Sequence, residues 1–359
     1  MRDLYFYVGR HYLRFFVVLF GALILFFVGF DYMQNVKDLS NSANIHLLYL
    51  VFKIFHAMDV LMPISLIFAF IATSLYLIRS NALVALYSLG YSKSSVLRIY
   101  IVMASIITII YIILHATPFA YSDDRAYSIR EYGNLKNSTQ QLFFKYDSGK
   151  RRYYIYMGYL STLEQKAYDL RLFEVRDDKL KVLLEADEAT YSDNHWKIEK
   201  AGLIEIPNVL SNRSSHIILE KKEHIIILEG FRPSILDKVY ESQISFSIVD
   251  ALYALKLLSS QGVSTEKIKS ALSAMIVYPF FSIFTIIFMF RYVPLSNRQG
   301  NLSFFTFVSI LGSLLLWGML FSFLKLTLSG TISSMIGIIL PIIVLGFISI
   351  LSIRSNKVL

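Results

Sequence analysis

Six apolar stretches, each close to the length of a membrane span, outline this chain. They run from Leu13 to Phe30, Val60 to Ile78, Val96 to about Phe119, Ala271 to Phe290, Phe304 to Leu324 and Ile332 to Ile350. Roughly 20 apolar residues in helical form cross the hydrocarbon core of a bilayer. The pattern therefore predicts six transmembrane helices, three before a long polar region and three after it. The first run follows Arg10 and Arg14 and is not closed by a small-residue cleavage site, so it reads as a retained span rather than a signal peptide. Residues 31–57 read as a polar loop before the second span.

The long polar region changes period. Short runs rich in β-branched and aromatic residues occur at Gln141–Tyr146, Arg152–Tyr159, Tyr168–Val175, Val182–Ala186, Trp196–Glu205, Ile217–Leu219 and His224–Leu228. Turn residues such as Asp147-Ser148-Gly149, Asp177-Asp178-Lys179 and Ser192-Asp193-Asn194 separate them. Such a series predicts a β-domain: a sandwich, a jelly roll or an open barrel. Its aromatics, including Tyr153, Tyr154 and Tyr156, read first as core and surface residues and second as a ligand groove.

Two short amphipathic helices are expected outside the spans. Between Arg79 and Arg98, residues Leu83, Leu86, Tyr87 and Gly90 recur at helical spacing, with Ser80 as a cap and Gly90 as the stop. Held between the second and third spans, this helix is either a handle for a partner or a hairpin resting on the membrane. The second helix begins at Ser247-Ile248-Val249-Asp250, which resembles a capping box. Ile248, Ala251, Leu252, Leu255 and Leu258 form its apolar stripe and Gly262 its stop. It lies at the membrane surface or packs on the β-domain.

Composition agrees with a membrane protein, since 55% of residues are hydrophobic and only 17% charged. The net charge of +9 bears on topology and anionic lipid, not on nucleic acid. One side of the predicted spans carries Arg2, Arg10, Arg79, Lys93, Arg98, Arg291, Arg298, Arg354 and Lys357; the other carries Lys37, Lys53 and Lys325. The positive-inside rule places the first side, with both termini and the 79–98 stretch, in the cytosol. The 121–270 region then faces outward. Three segments follow: 1–120 with the first three spans and a short helix at 80–91, a β-domain at 121–246, and 247–359 with a connector helix and the last three spans.

Catalytic chemistry is not evident. The chain lacks cysteine, a Gly-x-x-x-x-Gly-Lys-Ser/Thr loop, a His-Glu-x-x-His pair and a Gly-x-Ser-x-Gly elbow. No catalytic residue, metal site or cofactor of its own is expected. Its seven histidines are scattered; His115, in the third predicted span, suits an interhelical hydrogen bond better than proton transfer. Arg14, Asp31, Lys53, Asp59 and Lys325 stand near span ends, and Arg14 can snorkel to the cytosolic interface. Lys37, Lys53 and Lys325, with Arg125 after the third span, would lie at the outer face. Taken singly they suit ordinary headgroup contacts; as a set they fit a phosphorylated lipid. The fifth span is rich in bulky groups, Phe304, Phe305, Phe307, Trp317, Phe321 and Phe323, which suit acyl chains or plain bilayer contact. It also spaces Ser309 from Ser313 and Gly318 from Ser322 four apart, as close helix contacts do.

The arrangement resembles the LptF/LptG permease family of the lipopolysaccharide exporter over nearly the whole chain. The most specific local match is Arg79-Ser80-Asn81-Ala82-Leu83 through Leu86 to Gly90-Tyr91-Ser92, preceded by Pro63. Pro118 followed by Arg125 is similar to the family's exit from the third span. The run Ser245-Phe246-Ser247-Ile248 through Leu257-Leu258-Ser259-Ser260-Gln261-Gly262 is similar to its connection into the fourth. Within the family the resemblance is read first as the LptG branch, with the LptF-type paralogue of the same complex as the alternative.

The resemblance implies a helical membrane protein with an inserted periplasmic jelly-roll-like domain. It implies a permease subunit in the inner membrane that passes lipopolysaccharide through that domain toward the outer membrane. The implied partners are an LptF-type subunit, an LptB-type ATPase dimer that binds the ATP, an LptC-type protein and the LptA bridge. Lys37, Lys53, Arg125, Lys325, Phe307, Trp317 and Phe321 would meet the lipid. Asn81, Leu83, Leu86, Tyr87, Gly90 and Tyr91 would dock the ATPase. The family's usual glutamate eight residues before the coupling-helix glycine is Ala82 here, and Asp31 stands about where LptG proteins can carry lysine. A non-transporting scaffold with a partner-recruiting β-domain is the alternative class. A secondary transporter fits less well, because the span centres carry almost no charge.

Overall fold

A computed structural model describes the chain except residues 1, 41, 133–137, 149–150, 162–163, 177–178, 207–217, 229–230, 232, 234–245, 260–264, 297–300 and 355–359. It divides into two compact units, Met1–Asn134 with Lys269–Leu359, and Leu135–Ile268.

The first unit is helical. Its elements are α1 (Arg2–Asn35), α2 (Ala43–Arg79), α3 (Ala82–Ser88), α4 (Lys93–Leu114) and α5 (Ser122–Tyr132). After the insertion come α8 (Phe281–Phe290), α9 (Leu302–Leu328) and α10 (Leu340–Arg354), the last preceded by a π turn at Met335–Ile339. Helix α7 (Glu266–Ile276) crosses the division and leads through Tyr278–Phe280 into α8. Six stretches among the described residues are long and apolar enough to cross a membrane: Asp3–Asp38, Ala43–Arg79, Lys93–Leu114, Glu266–Phe290, Leu302–Leu328 and Met335–Ile353.

Several boundaries differ from the hydropathy pattern for physical reasons. Helix α2 has 37 residues, about 55 Å at 1.5 Å per residue, against about 30 Å of hydrocarbon. Hydropathy marks only the embedded part, so most of the expected 31–57 loop is helix. The third span ends at Leu114, because Thr117 before Pro118 is extended and starts a new turn. Residues 122–132, expected in the β-domain, form α5 and pack on α2.

Helix α2 is the most buried span and the centre of the unit. Phe70 on α2, Tyr100 on α4 and Phe290 at the end of α8 meet in an aromatic cluster with ring centroids 5.0–6.3 Å apart. The Tyr12 hydroxyl donates to the Leu66 carbonyl at 3.1 Å, tying α1 to α2. Ser349 on α10 donates to the Phe284 carbonyl at 2.7 Å, tying α10 to α8. Helix α9 packs on α2 and on the π turn and buries Phe305, Ser309, Ser313, Leu320 and Leu324, while its opposite side is exposed.

The second unit is an antiparallel sheet of six described strands: β1 (Ser138–Ser148), β2 (Arg151–Ser161), β3 (Lys166–Arg176), β4 (Lys179–Ser192), β5 (His195–Glu205) and β6 (Ile218–Ile227). They lie in chain order, so among the described residues the sheet is a meander without a crossed connection. Its buried face runs across strands as Phe144, Ile155, Leu172, Leu184 and Leu203, with each neighbour in register. Asp193 and Asn194, both at positive φ, close the β4–β5 hairpin as an I′-like turn. The two strands expected at 217–219 and 224–228 are one strand, because backbone pairing with β5 carries on through Glu220–Glu223. The tyrosines of β2 sit in aromatic and cation pairs: Tyr153 stacks on Tyr146, Tyr154 on Phe143, and Arg171 lies over Tyr156.

Helix α6 (Ile248–Ser259) also falls in this unit. Ser247 caps it by accepting from the Asp250 amide at 3.1 Å. Ala251, Ala254 and Leu258 are its buried residues, and Leu252, expected on the apolar stripe, is exposed. Its expected stop, Gly262, lies outside the described residues.

Candidate coupling helix and lipid site

Helix α3 is set between the second and third spans by specific end signals. Ser80 does not cap it; its hydroxyl donates back to the Tyr76 carbonyl at 2.8 Å and so closes α2. Asn81 turns the chain with a φ of 55°. At the other end the Gly90 amide donates to Tyr87 and the Tyr91 amide to Leu86, the Schellman pattern, with Gly90 at φ +86°. A side chain other than glycine would be strained there.

The apolar stripe of α3 faces the spans of the same chain. Leu83 is only 2% exposed, and Leu86, Tyr87 and Tyr91 pack half-buried against the same core. Burial pushes the Tyr87 hydroxyl up to about 12. The stripe therefore fixes the helix in place and does not itself form an open surface. Of the residues expected to dock a partner, Asn81 and Gly90 are exposed. The outward face adds Val84, Ala85, Ser88 and Leu89, the last 75% exposed. Helical spacing identifies an apolar face without telling what covers it, so it does not single out the exposed Val84 and Leu89.

On the same side, the Lys93 ammonium donates to the Arg291 carbonyl at 3.2 Å and lies over the Phe290 ring. The beginning of α4 and the end of α8 are thus neighbours, as an antiparallel arrangement of these spans requires.

The opposite ends of α1, α2 and α4 carry a cluster of paired polar groups. Lys53 is 12% exposed and stands 3.4 Å from both Asp31 on α1 and Asp123 on α5. Tyr49 donates to Asp31, and His56 lies 3.6 Å from Asp123. Asp59 accepts from Tyr111 and pairs with His115 Nε2 at 3.0 Å. His115 thus takes an interhelical hydrogen bond, and its Nδ1 has no hydrogen-bond partner among the described residues. The charge on Lys53, expected to meet lipid phosphate, is already balanced by two carboxylates. The signal for this network was present: Tyr49, Lys53, His56 and Asp59 fall at helical spacing on one face of α2.

The other expected lipid contacts are dispersed. Lys37 is exposed on the 3-10 turn after α1. Arg125 lies 5.4 Å over the Phe52 ring. Lys325 is exposed and lies 5.4 Å over Phe321, which in turn is 5.6 Å from Trp317. These three form a ladder along α9. Phe307 is 63% exposed. Of the small-residue pairs, Ser309 and Ser313 are buried, whereas a Cβ at Gly318 would meet nothing and Ser322 is exposed.

Two sets of three spans, a β-unit inserted between them and a pinned helix joining the second span to the third define a multi-pass membrane protein with a permease architecture. Residues 6–355 match the family described as lipopolysaccharide export system permease LptF/LptG, and the chain belongs to that family. Its members are permease subunits of the ABC transporter that exports lipopolysaccharide, and the match covers both branches. No curated protein matches the chain.

Proposed function

We propose that this chain is the LptG-type permease subunit of a lipopolysaccharide exporter in the inner membrane. It takes the lipid from the outer leaflet and passes it to its own β-domain on the periplasmic side. An LptB-type ATPase dimer drives the step, an LptF-type subunit completes the membrane channel, and an LptC-type protein and LptA bridge receive the lipid. Both termini and α3 face the cytosol, in keeping with the basic side chains at that end. Lys37, Arg125 and Lys325 offer charge to lipid phosphate, and the α9 face carrying Phe307 and the Trp317–Phe321 ladder offers apolar surface to acyl chains.

The observation that carries this reading is the mounting of α3: Leu83 is buried among the spans while Leu89 and Val84 project outward. A helix held that way transmits a push on its outer face to α2 and α4. Replacing exposed Leu89 with Asp is expected to abolish ATPase recovery on co-purification while leaving the permease folded. Replacing Leu83 with Asp is expected to lower the yield of folded permease itself, since a buried unpaired carboxylate costs several kcal/mol. Undiminished ATPase recovery with L89D would refute the docking role of this face.

A further inference from the structure

Helix α1 is the least buried of the six spans. It packs against α2 along its length, and the character of that packing changes from one end to the other. At the inner end, Leu4, Val8 and Tyr12 are buried, and Tyr12 hydrogen-bonds the Leu66 carbonyl. Farther along, Phe16, Ile24 and Val28 are buried in a helix otherwise largely exposed. At the outer end the attachments turn polar. Asp31 pairs with Lys53 at 3.4 Å and accepts from Tyr49; Tyr32 bonds His46 at 3.0 Å; Asn35 accepts from Arg130 of α5 at 2.9 Å. Lys53 continues to Asp123 of α5 at 3.4 Å.

We propose that Asp31, Lys53 and Asp123 form an electrostatic clasp that positions the outer end of the first span against the second. Apolar contacts tolerate small slides, but an ion pair is made or broken within a few ångströms. Lys53 is the shared member and is 12% exposed, so its one positive charge holds two carboxylates, from α1 and α5, at one point; neutralising Asp31 leaves Lys53 paired with Asp123 alone and removes the charge contact to α1. Asp31, Lys53 and Asp123 come from α1, α2 and α5, so one lysine joins three elements. The three residues act as positioning residues: they set where α1 rests.

The chain has no cysteine, so spin labels attach only where cysteine is introduced. Met33, 78% exposed near the end of α1, and exposed Glu131 on α5 are replaced by cysteine and labelled in the full chain in lipid nanodiscs. The parent is expected to give a single narrow distance distribution by pulsed electron resonance. Asp31→Asn is expected to add a longer-distance population, while Asp31→Glu, which keeps the carboxylate, is expected to retain the narrow one. If Asp31→Asn does not fold, Asp123→Asn is read instead; its carboxylate is 49% exposed, and it is expected to lengthen the same distance. An unchanged distribution in the folded Asn variant, or equal broadening in Asp31→Glu, overturns the clasp. The measurement uses no lipopolysaccharide and no ATPase, so its failure leaves the permease reading untouched.

Discussion

Lys53 and Lys37 show how little a side chain's type says about its use. Both stand on the side away from the basic ends of the spans, and both suit a lipid phosphate by sequence. Lys53 is enclosed between Asp31 and Asp123, whereas Lys37 is exposed on a turn. A charge-assisted contact with phosphate contributes roughly 1.5–3 kcal/mol when well formed, but a lysine already balanced by two carboxylates must first give one of them up. A photo-crosslinking residue at position 37 is therefore expected to capture lipopolysaccharide in membranes containing the ATPase, and one at position 53 to capture little. Capture at 53 without capture at 37 would reverse this assignment; capture of bulk phospholipid alone at 37 would make it a membrane anchor. The polar face of α2 with Tyr49, Lys53, His56 and Asp59 was legible by helical spacing, but its partners Asp31 and Asp123 were not, because they reach Lys53 only through tertiary packing. The same holds for Asp59 and His115, which come together across two helices.

Elements were legible where a local signal fixed them. Gly90 ends α3 because its positive φ is needed, and Asp193-Asn194 closes its hairpin for the same reason. Ser80 misled because a hydroxyl near a helix junction can serve either helix, and here it serves the one before. The side of α3 that faces the spans was beyond periodicity, since an apolar stripe looks alike whether the chain or a partner covers it. The π turn at Met335–Ile339 was also unforeseen. It precedes Pro341, which has no amide to give the Gly337 carbonyl, so regular α pairing cannot run through this segment. Gly337 faces Thr327 of α9 so closely that a methyl there would overlap the threonine hydroxyl. Gly337→Ala is expected to destabilise the detergent-solubilised protein by about 1–3 kcal/mol, as overpacking does, with a lowered unfolding temperature. Adding Thr327→Ala should restore part of that loss. Equal stability of the Ala variant and the parent would mean that the two helices are not in close contact there.

At the scale of the molecule, the hydrophobic pattern was enough to predict six spans in two sets of three around a β-unit, because each span must satisfy its own backbone in lipid. It could not predict strand order, which depends on pairing between distant segments, and it shortened α2 because that helix continues beyond the apolar run. What remains is direction across the membrane, and this rests on the asymmetry of Lys and Arg between the two sides. The close approach of Lys93 to the Arg291 carbonyl makes this asymmetry a property of one surface, since it brings the basic end of α4 beside that of α8. A single cysteine reports on each side without background, because the chain has none. Asn194, exposed at a hairpin tip, and Ala85, exposed on α3, are suitable positions. In intact spheroplasts a membrane-impermeant maleimide is expected to label a cysteine at 194 and to spare one at 85, which should react only after lysis. Labelling at 85 in intact cells, with or without labelling at 194, would mean that the positive-inside asymmetry does not govern this chain. It would also remove α3 from the reach of any cytosolic ATPase.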